Sequence, residues 1–236
     1  MGEAPTIAWT KLLGGKSNAN SVSTASDGSI YIAGGTSGSI DGQSSNGQSD
    51  AFITKFNSDG SNVWTRLLGG VSSEYAVSVS TASDGSIYIA GNTYSSIDGQ
   101  SSNGGGDAFI SKFNSDGSKV WTKQLGGDSY DYASSVSTAS DGSIYIAGST
   151  FGSIDGQSSN GGHDAFISKF NSDGSKVWTK LLGGGSYDYA SSVSTASDGS
   201  IYIAGQTSGS IDGQSRLGSG GNDAFVIKLN SDGSKV

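Results

Sequence analysis

The chain has no cysteine and a single histidine, His163. The first absence excludes a disulfide framework, a thiolate metal site and a cysteine nucleophile. The second excludes a histidine-rich metal centre and leaves a serine-histidine-aspartate triad only one base. Basic charge is scarce too. Thirteen Lys and Arg stand against 21 Asp and Glu, a net charge of −8, which disfavours nucleic acid and anionic membrane as partners. No apolar run approaches the roughly 18 residues of a membrane span, so membrane insertion is not expected. No signal-peptide pattern opens the chain.

Glycine (39) and serine (50) are abundant instead. Composition of that kind suggests a linker or a disordered tract. Periodicity overturns it. Trp9, Trp64, Trp121 and Trp178 stand 55, 57 and 57 residues apart, and Tyr31, Tyr88, Tyr145 and Tyr202 recur every 57. The chain therefore reads as one domain, 1–236, of four repeats: 9–63, 64–120, 121–177 and 178–236. The first repeat is two residues short in its Lys16–Asn20 stretch, and the fourth is two longer around Arg216–Gly221.

The repeat from Trp121 shows the inner plan. Short alternating segments, Ala133–Ser140, Ser143–Thr150, Asp164–Asn171 and Ser175–Leu182, are joined by Asp-Gly pairs and one long polar loop. Asp-Gly between such segments predicts hairpins with type I′ turns. No segment has the 3.6-residue period of a helix, so the expectation is four antiparallel strands per repeat. Ala108 and Ile110 oppose Phe109 and Phe113, and Tyr88 and Ala90 oppose Ile87 and Ile89, so both faces of each sheet need cover. Stacking the sheets around an axis covers every copy alike, which predicts an all-β propeller with four four-stranded blades per chain. The Ser-Val-Ser-Thr segments read as small-residue inner strands that let blades converge. Residues 6–13 repeat the fourth-strand pattern ahead of any first strand, and the fourth repeat lacks one. The N-terminal strand is thus expected to complete the last blade, either closing a four-bladed ring or building an eight-bladed ring from two chains; the remaining alternative is a fragment of a longer natural array.

The series Trp-Thr-Lys-Leu-Leu-Gly-Gly, Tyr-Asp-Tyr-Ala, Ser-Asp-Gly-Ser-Ile-Tyr-Ile-Ala-Gly and Asp-Ala-Phe-Ile-Ser-Lys-Phe resembles the SBBP-type bacterial β-propeller repeat over residues 9–236. Gln124, Leu229 and Asn18-Ala19-Asn20 depart from it. The resemblance implies propeller blades of secreted or cell-surface bacterial proteins, in larger rings that commonly have seven blades. It transfers no catalytic residue.

Sixteen of the acids fall at four repeated positions. Asp98, Gln100, Asn103 and Asp107 bracket one loop with oxygen ligands that suit calcium. Their spacing matches neither an EF-hand nor the glycine-rich nonapeptide calcium repeat, so turn chemistry is favoured over calcium and no cofactor is expected. The non-repeated acids Glu3, Glu74, Asp128, Asp131 and Asp188 offer no carboxylate pair for glycoside hydrolysis, and no enzyme activity is expected. His163 reads as a solvated loop residue. The segment after Gly-Gly varies most between repeats and gathers Glu74, Tyr75, Tyr130, Asp131, Tyr132, Tyr187, Asp188 and Tyr189. Those residues are the candidate ligand-binding set, since tyrosines on rigid loops suit protein or carbohydrate contacts; packing of the rings between blades is the alternative. The expectation is a non-enzymatic scaffold for protein interaction or adhesion at the bacterial cell surface or outside it. The alternatives are a lectin with one glycan site per blade and a purely structural or engineered self-assembling unit.

Overall fold

The computed structural model describes residues 7–218 and 220–236. They form strands, turns and loops only. β1 (Ser17–Thr24), β2 (Ile30–Thr36), β3 (Asp50–Phe56) and β4 (Asn62–Leu68) make the first sheet, in that order and antiparallel throughout. The second sheet is β5 (Glu74–Thr81), β6 (Ile87–Thr93), β7 (Asp107–Phe113) and β8 (Lys119–Leu125). In the third, β9 (Asp131–Thr138) and β10 (Ile144–Thr150) precede a two-residue hairpin, β11 (Ser153–Ile154) with β12 (Gln157–Ser158). β13 (Asp164–Phe170) and β14 (Lys176–Leu182) complete that sheet. Among the described residues the fourth has three strands: β15 (Asp188–Thr195), β16 (Ile201–Thr207) and β17 (Asp223–Leu229).

The turns correct one expectation. At Ser-Asp-Gly-Ser only the glycine takes positive φ, as at Gly28 (82°) and Gly117 (83°). Asp27 keeps a right-handed backbone, and its carboxylate accepts the Ser29 N–H at 2.8 Å. The type I′ geometry lies elsewhere. In Ile-Asp-Gly-Gln, Asp41 (48°) and Gly42 (76°) both have positive φ, and Ile40 and Gln43 exchange two backbone hydrogen bonds. The same pair recurs at Asp98, Asp155 and Asp212. That aspartate then pins the turn to the outer strand: Asp98 accepts from Thr122 Oγ1 and pairs with Lys119, and Asp155 does the same with Thr179 and Lys176.

Packing between sheets is heterotypic. The face of blade 1 carrying Tyr31, Ala33, Ala51 and Ile53 is sealed by Ala76, Val79, Ile87, Ile89, Phe109 and Phe113 of blade 2. Blade 2 meets blade 3, and blade 3 meets blade 4, through the equivalent residues. Each fully buried Ile or Phe contributes about 1.5–3 kcal/mol. First strands line up side by side, with Val79 N–H on Ser21 Oγ, Val136 N–H on Ser78 Oγ and Val193 N–H on Ser135 Oγ. The Ser-Val-Ser-Thr segments are therefore the inner strands, and their hydroxyls stitch neighbouring blades.

The ends of the stack are open. Residues 7–14 form no strand, Thr6 lies outside the described residues, and among the described residues only Lys235 pairs beside β17, in a single bridge to Leu229. The fourth-strand expectation for residues 6–13 is thus not met within one chain.

Candidate functional site

The first strands begin two residues earlier than the alternation indicates, at Glu74, Asp131 and Asp188. This moves the variable acids from loop to strand, where neighbours alternate sides. Each acid turns inward and is at most 1% exposed. Glu74 Oε2 accepts the Gly70 N–H at 2.7 Å, Asp131 Oδ2 the Gly127 N–H at 2.8 Å, and Asp188 Oδ2 the Gly184 N–H at 2.9 Å. The expectation that these three acids face a ligand is corrected: they cap the Gly-Gly bends. Isolated parallel bridges join Ser49 to Ser73, Gly106 to Tyr130 and His163 to Tyr187. Asp50 and Glu74, Asp107 and Asp131, and Asp164 and Asp188 therefore stand next to each other across the blade junctions. Burial above all, with Asp107 adding to it, raises the Asp131 carboxyl above the usual carboxylate range. Burial followed by Asp188 does the same for Asp164.

The tyrosines point the other way. Tyr75 (37% exposed) lies on Gly35, Tyr130 (41%) on Gly105 and Gly106, and Tyr187 (50%) on Gly162. A side chain on Gly35, Gly105 or Gly162 would collide with the ring above it, so glycine is what lets each tyrosine lie flat on the preceding blade. One face of each ring packs and the rest meets solvent, so both alternatives, contact residue and packing residue, describe part of each tyrosine.

Most of these rings join a continuous row. Tyr94 lies 6.5 Å from Tyr132, which stacks on Tyr130 at 6.0 Å and meets Phe151 edge-on at 5.5 Å. His163 lies parallel to Phe151 at 3.3 Å and meets Tyr187 and Tyr189 edge-on. Its Nδ1 is 2.5 Å from the Tyr189 hydroxyl. His163 is therefore packed among these rings, and desolvation lowers its pKa below the ordinary imidazole range. Burial, then the Tyr94 hydroxyl, raises the Tyr132 phenol. Tyr94, Phe151 and His163 stand outside the candidate set because they lie in different loops from the other rings. The available signal was topological: second strands end, and third strands begin, at the same edge where first strands start.

The four residues of the calcium reading do not converge. Asp98 is held by Lys119 and Thr122, while Asp107 Oδ2 accepts the Asn103 N–H at 3.0 Å and the Gln124 amide at 2.8 Å. Gln100 closes the type I′ turn through its backbone.

Against this geometry, comparison with known families is direct. The β-propeller model described as a domain of unknown function, DUF5122, matches residues 25–61, 82–119, 139–176 and 196–235, one match in each repeat. The chain belongs to the DUF5122 β-propeller family. SBBP β-propeller repeats are matched within it at residues 120–155 and 177–212. Regulatory protein FlaEY of Caulobacter vibrioides is 28% identical over an alignment of 191 residues that covers 72% of this chain. The chain spans a fifth of that relative's length. Two solved structures are similar at 13% identity each. One is a protein of unknown function from Bacteroides caccae (TM-score 0.40, 97% of this chain and 83% of that one). The other is a luciferin-regenerating enzyme (TM-score 0.44, 93% and 63%).

Proposed function

We propose that this DUF5122 propeller is a non-enzymatic scaffold for protein interaction or adhesion, working at the bacterial surface or outside the cell. Its contact surface is the row of rings on blades 2 to 4. One observation carries the reading: seven aromatic or imidazole rings from three blades form a continuous, partly exposed strip, with Tyr94, Tyr130 and Tyr187 between 41% and 50% exposed. Rigid, half-packed tyrosines offer apolar area and a hydroxyl at little cost in side-chain entropy, which suits a protein partner. A glycan site would also want carboxylates beside the rings, and Glu74, Asp131 and Asp188 are buried under them. Protein is therefore preferred to carbohydrate. The same reading completes the blades into a ring whose last sheet takes an N-terminal strand.

The test compares the native chain with a variant carrying Tyr94→Ser, Tyr130→Ser and Tyr187→Ser. Both are immobilised and exposed to bacterial surface and secreted proteins and, separately, to a glycan array. Proteins retained by the native chain and lost by the variant support the scaffold. Glycan hits that depend on the same tyrosines would transfer the site to the lectin reading. Retention unaffected by the three changes would remove the ring strip as the contact surface.

A further inference from the structure

Gln124 stands where blades 1 and 3 carry leucine. It pairs with Phe109 as Leu67 pairs with Phe52 and Leu181 with Phe166. Its amide nitrogen donates to Asp107 Oδ2 at 2.8 Å and to the Ser95 carbonyl at 3.3 Å, which fixes which way the amide is turned. The amide oxygen is then left buried with no hydrogen-bond partner.

Two carboxylate oxygens at the same junction share that condition. Asp107 and Asp131, neighbours across the contact of blades 2 and 3, are 0% and 1% exposed. Oδ2 of each is used: on Asp107 by Gln124 and the Asn103 N–H, on Asp131 by the Gly127 N–H. Oδ1 of each is buried without a partner. Asp107 Oδ1 lies against Gly126, where a Cβ would run into it, so the two carboxyls hold one Gly-Gly bend from two sides. Thr150 Oγ1 favours the ionised form of Asp131 but completes no hydrogen bond to Oδ1. Among the described residues the ion pairs are Lys119 with Asp98, Lys176 with Asp155 and Lys235 with Asp212, so neither carboxyl has a cationic partner.

The other junctions lack part of this set. Glu74 is one methylene longer, and its Oε1 accepts from Thr93 Oγ1 at 3.0 Å and Ser95 Oγ at 2.9 Å, which leaves only Asp50 Oδ1 unpartnered there. Asp164 and Asp188 both keep an unpartnered Oδ1, but Leu181 takes the place of the amide.

We propose that Asp107 Oδ1, Asp131 Oδ1 and Gln124 Oε1 bind one calcium ion at the junction of blades 2 and 3. Buried carboxylates are compensated by an opposite charge or a metal, and oxygens without donors are the ligands a hard cation takes. Magnesium demands a near-regular octahedron and gives up its water reluctantly, whereas calcium accepts an irregular oxygen set. The site shares only Asp107 with the loop set Asp98, Gln100, Asn103 and Asp107, which does not converge. Two carboxylates and one neutral amide are a modest set, so the dissociation constant is on the order of 10⁻⁴ M. Burial, with Asp107 and Asp128 nearby, raises the Asp131 carboxyl in the ion-free chain, so calcium competes with a proton and binds more tightly at higher pH. The ion ties blade 2 to the start of β9, which carries Tyr132 and follows directly on Tyr130, and so braces that part of the ring strip.

Isothermal titration calorimetry with calcium chloride, on chain freed of metal by EDTA, reads the site. One ion per chain is expected, with a melting temperature that rises with calcium. Gln124→Leu installs the residue that blades 1 and 3 already carry, so it keeps the fold, checked by far-ultraviolet circular dichroism. It should weaken binding by about tenfold or more. Asp131→Asn, close to the native side chain in shape, should abolish binding. Leu181→Gln supplies the missing amide beside Asp164 and Asp188 and should raise the stoichiometry to two. No binding by the native chain at about 10 mM calcium would overturn the site and leave a pair that holds only a proton. Binding left unchanged by either Gln124→Leu or Asp131→Asn would overturn it too, by moving the ion to other acids. A folded Leu181→Gln chain that still binds one ion would refute the role given to the amide. Each readout is a calcium isotherm, so the retention assay on the tyrosines can fail without touching it.

Discussion

Tyr145 and Tyr202 occupy the same repeat position, so truncating each to alanine isolates the value of being covered by a next blade. Tyr145 is 1% exposed, lies 6.0 Å from Trp178 and has Lys169 over its ring at 5.5 Å. Tyr202 is 38% exposed and keeps only the cation, Lys228 at 5.7 Å. A buried tyrosine withdraws about 200 Å² from water, worth about 5 kcal/mol at roughly 25 cal/mol per Å². The difference in exposure then removes about 2 kcal/mol at Tyr202, and the missing indole partner about 1 kcal/mol more. Tyr145→Ala should therefore cost about 2–3 kcal/mol more than Tyr202→Ala. Urea unfolding followed by tryptophan fluorescence measures both. Equal losses would refute the reasoning, because they would mean that a single chain covers its own last blade.

Three further outcomes follow from local geometry. Gly117→Ala should destabilise by roughly 1–3 kcal/mol, more than Gly99→Ala, because both need positive φ but only Gly117 has an indole ring, Trp64, against it; thermal melts rank the two. The His163 imidazole should titrate below the ordinary range near 6.5 in a proton NMR titration, and Phe151→Ala, which removes the ring stacked on it, should move it back up. Asp131 and Asp164 have raised pKa values, so the folded state holds their protons more tightly than the unfolded chain does. Their contribution to stability is present below the ordinary carboxylate pKa and lost as pH rises through the raised folded value. The melting temperature of Asp131→Asn/Asp164→Asn should accordingly fall less than that of the native chain between pH 4 and pH 7, and an unchanged pH dependence would remove these carboxyls as the cause.

The strand plan and the junction pattern were legible in the residues themselves. Ala108 and Ile110 opposite Phe109 and Phe113 are enough to require cover on both faces, and a 57-residue period supplies the same cover to each blade. Turn chemistry was less legible. Asp-Gly occurs three times in every repeat, and composition cannot say which pair adopts the type I′ form. The tertiary structure decides it, because Asp98 is drawn to Thr122 and Lys119 on the outer strand while Asp27 is held by its own neighbour Ser29. The candidate site divides in the same way. Tyrosines beside acids were visible in the sequence, but a two-residue shift in where the first strand starts sends Asp131 inward to a Gly-Gly bend and Tyr132 outward to Tyr94 and Phe151. Periodicity acts along the chain and so determines blades, faces and inner strands. Which rings meet, and which of two identical faces is left bare, depends on groups far apart in sequence, and only the packed structure brings those together.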